Sequence, residues 1–227
     1  MSSLAIIPAR GGSKRIPRKN IRDFHGQPMI AWSIHAALES KVFDAVLVTT
    51  DDEEIASIAE KEGAIVPFQR PSELSGDHAA TMPVLAHAIN WWQNNRHPLE
   101  FACCIYATAP FIRPEFLSQA IQMLRKSDAD FVLSVTRFDY PVQRSLRLDE
   151  RSMLSFAEPQ NALKRSQDLE PRYHDAGQFF AGRVEAFQRH EAVIYGRCRP
   201  MIVPNDEAMD IDTEEDWRMA EKLYSIK

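Results

Sequence analysis

LAIIPARGGSKRIPRKN, residues 4–20, runs from an unbroken apolar segment into a glycine pair and then into concentrated positive charge. A short continuous apolar run closed by glycine is the pattern of a strand buried on both faces. Three further runs share it: DAVLVTT (44–50), FACCIYA (101–107) and DFVLSVT (130–136). Helix-period segments separate them. In MIAWSIHAALES (29–40), Ile30, Ile34, Ala37 and Leu38 fall on one face and Pro28 suits a first turn. DEEIASIAEKEG (52–63) opens with acids, which favour a helix N-terminus, and stops at Gly63. TMPVLAHAINWWQNN (81–95) and PEFLSQAIQMLRKS (114–127) supply two more helices. This alternation predicts an α/β fold with a doubly wound, mostly parallel sheet and right-handed crossovers.

The pattern breaks after Phe138. Residues 139–172 are polar, carry Pro141, Pro159 and Pro171, and hold no sustained period, although VQRSLRLDE could form a strand. A patternless stretch of that length is poor material for a plain loop. The expectation is one domain, 1–227, carrying an inserted arm at about 139–172. Beyond it, GQFFAG (177–182) and CRPMIVP (198–204) read as strands, VEAFQRH (184–190) as a short helix and 213–224 as the last helix.

The chain has 27 Lys plus Arg against 32 Asp plus Glu, a net charge of -5, which argues against a general nucleic-acid or membrane-surface partner. No apolar stretch approaches the ~18 residues of a membrane span, and no cationic segment precedes the first apolar run, so a cytoplasmic location is expected. Cys103, Cys104 and Cys198 show no metal-ligand spacing and read as buried free thiols. His25, His35, His78, His87, His97 and His190 show none either, and Trp91 and Trp92, with Leu85 and Ile89, read as core.

An acidic chain that places Arg10, Lys14, Arg15, Arg18 and Lys19 within ten residues needs a local reason for doing so. In open α/β sheets ligands sit beyond the carboxyl ends of the strands, where this loop falls. Gly11 and Gly12 permit close approach and positive φ, and Ser13 with successive amides could donate to anionic oxygens. Arg10 and Lys14 add a planar fork and a point charge for a polyphosphate. The spacing is neither GxxxxGK[ST] nor GxGxxG, which sets aside a Walker loop and the dinucleotide fingerprint. A merely solvated basic loop is the competing reading.

Near the other end, Asp210 and Asp212 flank Ile211, so on an extended segment both carboxylates share a face, as a hard cation requires. An acidic turn capping the helix from Thr213 is the alternative. His174, Asp175 and Gln178, with Phe179 beside them, lie in RYHDAGQFF (172–180) and offer donors, an acceptor and an amide for a polar ligand; neighbouring strand residues face opposite ways, so the His-Asp pair is poor evidence for a catalytic dyad.

The whole string IIPARGGSKRIPRKN resembles the N-terminal signature of the sugar-activating cytidylyltransferases, the family of CMP-sialic acid synthetases. AMDIDTEEDW (208–217) resembles the family's second acidic segment, and RPSELSGDHAAT (70–81), with Arg70, Asp77 and Thr81, a third. FHGQPMIAWSI, CIYATAPF and RYHDAGQFF are most similar to the branch that activates pseudaminic acid; sialic acid enzymes show LLQPTSPLR where this chain has IYATAPFIR, which sets Ala107 against a glutamine.

The resemblance implies transfer of a cytidylyl group from CTP to an acidic nine-carbon sugar, with Mg2+ or Mn2+ on Asp210 and Asp212. It implies catalytic roles for Arg10, Lys14 and Asp210. Nucleotide contacts are implied for Ala9, Arg10, Gly11, Gly12, Ser13, Lys14, Lys19, Asn20, Arg70, Thr81 and Ala107, and sugar contacts for His174, Asp175, Gln178 and Phe179. The arm would cross a homodimer, with Arg144, Lys164 and Arg165 reaching the partner's sugar. Sialic or legionaminic acid as substrate, or a nucleotide-binding protein without catalysis, are the other readings.

Overall fold

The computed structural model describes residues 2–76, 79–189 and 192–226; Asp77, His78 and His190 lie outside the described residues. Among the described residues there are ten strands: β1 (Ser3–Pro8), β2 (Asp23–Phe24), β3 (Gln27–Pro28), β4 (Ala45–Thr49), β5 (Phe101–Ile105), β6 (Phe131–Arg137), β7 (Leu146–Leu148), β8 (Leu154–Phe156), β9 (Tyr173–Arg183) and β10 (Cys198–Ile202). Six helices accompany them: α1 (Met29–Glu39), α2 (Glu53–Lys61), α3 (Thr81–Asn95), α4 (Pro114–Arg125), α5 (Val184–Arg189) and α6 (Glu214–Ser225).

The main sheet has the order β10-β6-β9-β5-β1-β4. β1 is parallel to β4 and β5, and β10 to β6, while β9 runs antiparallel between β5 and β6. The sheet is mostly parallel, as the β-α alternation predicts, with one reversed strand. That reversal decides where the chain's features meet, since the start of β9, not its end, lies beside the carboxyl ends of its neighbours: His174 pairs with Thr136 near the end of β6.

Helices cover both faces, which is why the strands read as continuous apolar runs. One layer packs Ile30 and Ile34 of α1, Ile55 of α2 and Leu117, Ile121 and Leu124 of α4 against Ala5, Ile7, Val48, Cys103 and Ile105. The other packs Leu85, Ile89 and Trp92 of α3 and Phe187 of α5 against Leu4, Ile6, Leu47, Cys104 and Phe180. The adjacent cysteines therefore face opposite layers, and burial pushes both thiols up. A third cluster joins Ile16, Phe24, Met29, Phe111, Ile211 and Trp217. It is the apolar tie between the basic loop and the acidic segment.

Segment 139–172 folds as two three-residue strands, β7 and β8, paired antiparallel and flanked by short turns of 3-10 helix. The strand expected around residues 142–150 is thus half of a hairpin. All six of its strand residues are exposed.

Candidate active site

Beyond the carboxyl ends of β1 and β5 opens a cleft of about 560 Å³. Its walls include Arg10, Ser13, Lys14, Arg15, Lys19 and Asn20 from the basic loop, Arg70, Leu74 and Thr81 from the segment leading into α3, Tyr106, Ala107 and Thr108 after β5, and Asp212. Eight of the expected nucleotide residues therefore share one cavity. Tyr106, Thr108 and Arg15 join them without having been expected to.

Side-chain struts set the loop. Asn20, buried, donates through Nδ2 to the Arg10 carbonyl at 3.0 Å. Arg70, also buried, donates to the carbonyls of Ala9 (2.8 Å) and Thr49 (2.7 Å), fastening the loop to the ends of β1 and β4. Desolvation holds the Arg70 guanidinium below its ordinary pKa. Lys19 Nζ donates to the Ile211 carbonyl at 2.5 Å and lies 3.4 Å from Asp212 Oδ1, which Arg15 also reaches at 2.9 Å. Two segments nearly two hundred residues apart in sequence are joined here by charge, as they are by the Ile16–Ile211 cluster.

The backbone corrects the picture of a cradle made of successive amides. The amide of Ala9 donates to Thr49 O, that of Gly11 to Asp51 Oδ1 and that of Ser13 to Gly11 O. The end of β4, the turn before α2 and the loop's own backbone consume these three, and the Ala9 methyl is buried. The side chains of Arg10, Ser13 and Lys14 line the cleft. Neither Gly11 nor Gly12 takes positive φ; Gly11 is needed for close approach, since a β-carbon there would lie 2.5 Å from Asp52 Oδ2. The left-handed residue of the loop is Arg18, at φ 55°.

Beside the cleft, desolvation first, and then Asp212, raises the Asp210 carboxyl above the usual carboxylate range. Asp175 is raised too, chiefly by desolvation, and its Oδ1 accepts the Gly177 amide at 2.8 Å. Between Leu133 and Val135 the β6–β9 register shifts, and the extra β9 residues bulge toward the acidic segment. Gly177, at φ 66°, is the bulge's closest approach: a β-carbon there would stand 3.2 Å from Asp210 Cβ. Ser134 stitches the bulge, donating to Phe179 O at 2.7 Å.

That bulge divides the four residues expected at a sugar. His174 and Asp175 are exposed at the start of β9. Gln178 is 1% exposed and donates its amide to the Glu207 carbonyl, and the Phe179 ring is 0% exposed within the core. Both are corrected to structural roles, because the Phe179 ring is sealed in the core and the buried Gln178 amide is held by the chain's own backbone. Gln178 instead fixes the turn ahead of the Asp210 segment, where Arg113 pairs with the buried Glu207 carboxylate.

Ala107 lines the cleft, but the residue standing against the family glutamine is its neighbour. Aligning Thr108 and Pro110 with the Thr and second Pro of LLQPTSPLR sets Tyr106 there, and burial, with Cys104, Asp175 and Asp210 nearby, pushes its phenol up. Neutral, it is a hydrogen-bond donor. The shared T-x-P register was the signal that would have found it.

Comparison with known proteins agrees with this geometry. A family model described as Cytidylyltransferase matches residues 4–226. The pseudaminic acid cytidylyltransferase of Campylobacter jejuni subsp. jejuni serotype O:2 is 41% identical over 226 residues, covering 100% of this chain and 97% of its own. The CMP-N,N'-diacetyllegionaminic acid synthase of Legionella pneumophila is 29% identical over 227 residues, covering 100% and 97%. Among solved structures, a CMP:2-keto-3-deoxy-manno-octonic acid synthetase complexed with CTP superposes with a TM-score of 0.73 at 18% identity, covering 100% of this chain and 99% of that one. With the family match running through nearly every described residue, from the basic loop to the last helix, this chain belongs to the cytidylyltransferase family.

Proposed function

We propose that the chain transfers the cytidylyl group of CTP to pseudaminic acid. The full-length 41% identity to a relative named for that reaction carries the reading, against 29% to the relative named for legionaminic acid. The sugar's anomeric hydroxyl oxygen bonds to the α-phosphorus, the bond from that phosphorus to the bridging oxygen breaks, pyrophosphate leaves, and the hydroxyl proton passes to solvent. Little of this needs a covalent partner from the protein; it needs alignment and compensation of developing negative charge.

Arg10 and Lys14 face the cleft to supply that compensation. Arg70 and Thr81, with Tyr106, Ala107 and Thr108, wall the remainder, and α3 begins at Thr81 on the same cleft. His174 and Asp175, exposed at the start of β9, would meet the sugar's hydroxyls.

The donor set fits a hard divalent cation. Asp210 and Asp212 offer carboxylate oxygens on either side of the buried Ile211, and desolvation, then the neighbouring Asp212 charge, raises Asp210, a penalty that a bound cation would offset. These two residues would hold Mg2+, or Mn2+, beside the phosphates. When bound, it supplies Lewis acidity toward phosphoryl oxygens.

The arm supports a homodimer. Leu146, Leu148, Met153, Leu154 and Leu163 are exposed on it, Leu163 at 99%, an apolar surface with no cover in its own chain. Arg165 is paired with Asp168 and Arg144 donates to Ser166 within the arm. No described helix is long and apolar enough to cross a membrane, and a cytoplasmic location, where CTP is at hand, is the one that suits a CTP-dependent reaction.

The test is to incubate the chain with CTP, Mg2+ and pseudaminic acid, following pyrophosphate and the mass of the nucleotide product. Stoichiometric pyrophosphate and CMP-sugar support the proposal; CTP bound without turnover would leave a nucleotide-binding protein.

A further inference from the structure

Arg10, Lys14, Arg15 and Lys19 of the basic loop wall the cleft, whereas the Arg18 guanidinium turns to Asp52. Its Nη1 donates to Asp52 Oδ2 at 2.5 Å, and its Nη2 to Asp52 Oδ1 at 3.0 Å and to Glu54 Oε2 at 2.5 Å. The geometry is a two-point guanidinium–carboxylate fork, the strongest form of such a pair. It also keeps a non-glycine residue at φ 55° and ψ 28°, where a side chain crowds its own backbone. A position that tolerates glycine at no cost instead carries a long cation.

Asp52 holds the other limb of the same loop. Its carboxylate lies against Gly11, so closely that a β-carbon could not be added, and its neighbour Asp51 accepts the Gly11 amide at 3.1 Å. The same Asp52 oxygen that meets Arg18 caps α2, accepting the Ile55 amide at 3.0 Å. Consequences run downstream. The Arg18 carbonyl accepts the amides of Ile21 (3.0 Å) and Arg22 (2.9 Å), starting the turn that aims Lys19 at the Ile211–Asp212 segment and Asn20 at the Arg10 carbonyl. The hydrogen bond to Arg18 holds the Asp52 carboxyl below its usual range, so the fork stays charged across working pH.

We propose that Arg18 and Asp52 form a clamp that closes the basic loop and sets Arg10, Lys14 and Lys19 for the triphosphate. They are positioning residues and touch no substrate. This rests on the reading of the cleft as the CTP site. It predicts that the clamp acts on nucleotide and turnover together, leaving the acidic sugar's own binding alone.

The experiment uses Asp52→Asn, Arg18→Gln and their combination in the full chain, with CTP affinity by calorimetry in the absence of sugar, steady-state KM for each substrate, and melting temperature. Asparagine caps a helix about as well as aspartate, so Asp52→Asn breaks the fork and spares the cap. Each single variant should weaken CTP binding and raise its KM roughly tenfold, with the double variant no worse than either. The KM for the sugar should stay at the wild-type value. Arg18→Gly, which deletes the fork while relieving the left-handed strain, folds at least as readily and should lose CTP affinity to the same extent. Unchanged CTP affinity in Asp52→Asn and Arg18→Gly, additive losses, or equal losses for both substrates would each overturn the clamp. Wild-type chain that takes up no CTP would instead strike at the nucleotide reading itself.

Discussion

The basic loop and the arm look alike as sequence, both polar, proline-bearing and without period, yet they are built in opposite ways. The loop buries an anchor, Ile16, beneath itself and fastens its polar atoms to β1, β4, α2 and the acidic segment. The arm has apolar side chains in plenty, but Leu146, Leu148 and Leu154 stand in solvent on strands of three residues. An isolated hairpin of that size has little stability of its own. The nucleotide end is therefore finished within one chain, whereas in the proposed homodimer the arm's surface would be finished by a second.

The largest effect that sharpens this contrast is expected at Lys14. Lys14→Ala should lower kcat/KM by roughly 10²–10³-fold, since it removes a preorganised charge from the cleft, while the melting temperature stays put. A stopped assay of pyrophosphate with a parallel melting curve checks it; a large loss of stability would mean that Lys14 holds the loop as Asn20, Arg70 and Lys19 do.

Next comes the arm. Replacing Leu146, Leu148 and Leu154 with serine together should shift the mass in light scattering from two chains to one, with CTP affinity unchanged and the sugar KM raised about tenfold. Monomeric wild type with full activity would break the comparison.

Asp210→Asn separates function from stability. Desolvation and Asp212 place the folded carboxyl's pKa above its unfolded value, so its stabilising contribution exists only in acid and is lost as pH rises through the folded pKa. Near neutral pH, without divalent metal, the asparagine variant should melt about 1–2 °C higher while activity collapses, and the gain should vanish in acid. The smallest effect is at the cap of α6. Thr213 and Asp216 form a capping box, and Thr213→Ala should cost about 1 kcal/mol by denaturant titration with little change in CTP affinity.

Why the fold was legible is plain from its strands. Runs such as LAIIP and FACCI are buried on both faces, so composition alone marks them, and the helices between them carry a one-sided stripe. Direction is another matter. Nothing in GQFFAG says that the strand runs against its neighbours, because side-chain alternation is the same either way. The bulge was hidden for a related reason: it depends on Gly177 meeting Asp210, a contact across thirty residues. It alone separates exposed His174 and Asp175 from buried Gln178 and Phe179.

At the cleft, residue types were readable and directions were not. Arg18 and Lys14 are equivalent cations on paper, and only the left-handed turn at Arg18 sends its fork to Asp52. The glycine pair suggested positive φ, whereas Gly11 is required by the packing of Asp52. Tyr106 was within reach of the sequence, through the shared Thr and Pro, but not from Ala107.

The central claim is that this cytidylyltransferase acts on pseudaminic acid. Its most direct test is kcat/KM for pyrophosphate release on one preparation with CTP, Mg2+ and, in turn, pseudaminic, N-acetylneuraminic and legionaminic acids. Pseudaminic acid should exceed the other two by at least about 100-fold, as when a site's buried polar groups match one stereochemistry and are left unpaired by another. Equal rates with all three, or a preference for either of the others, would contradict the claim.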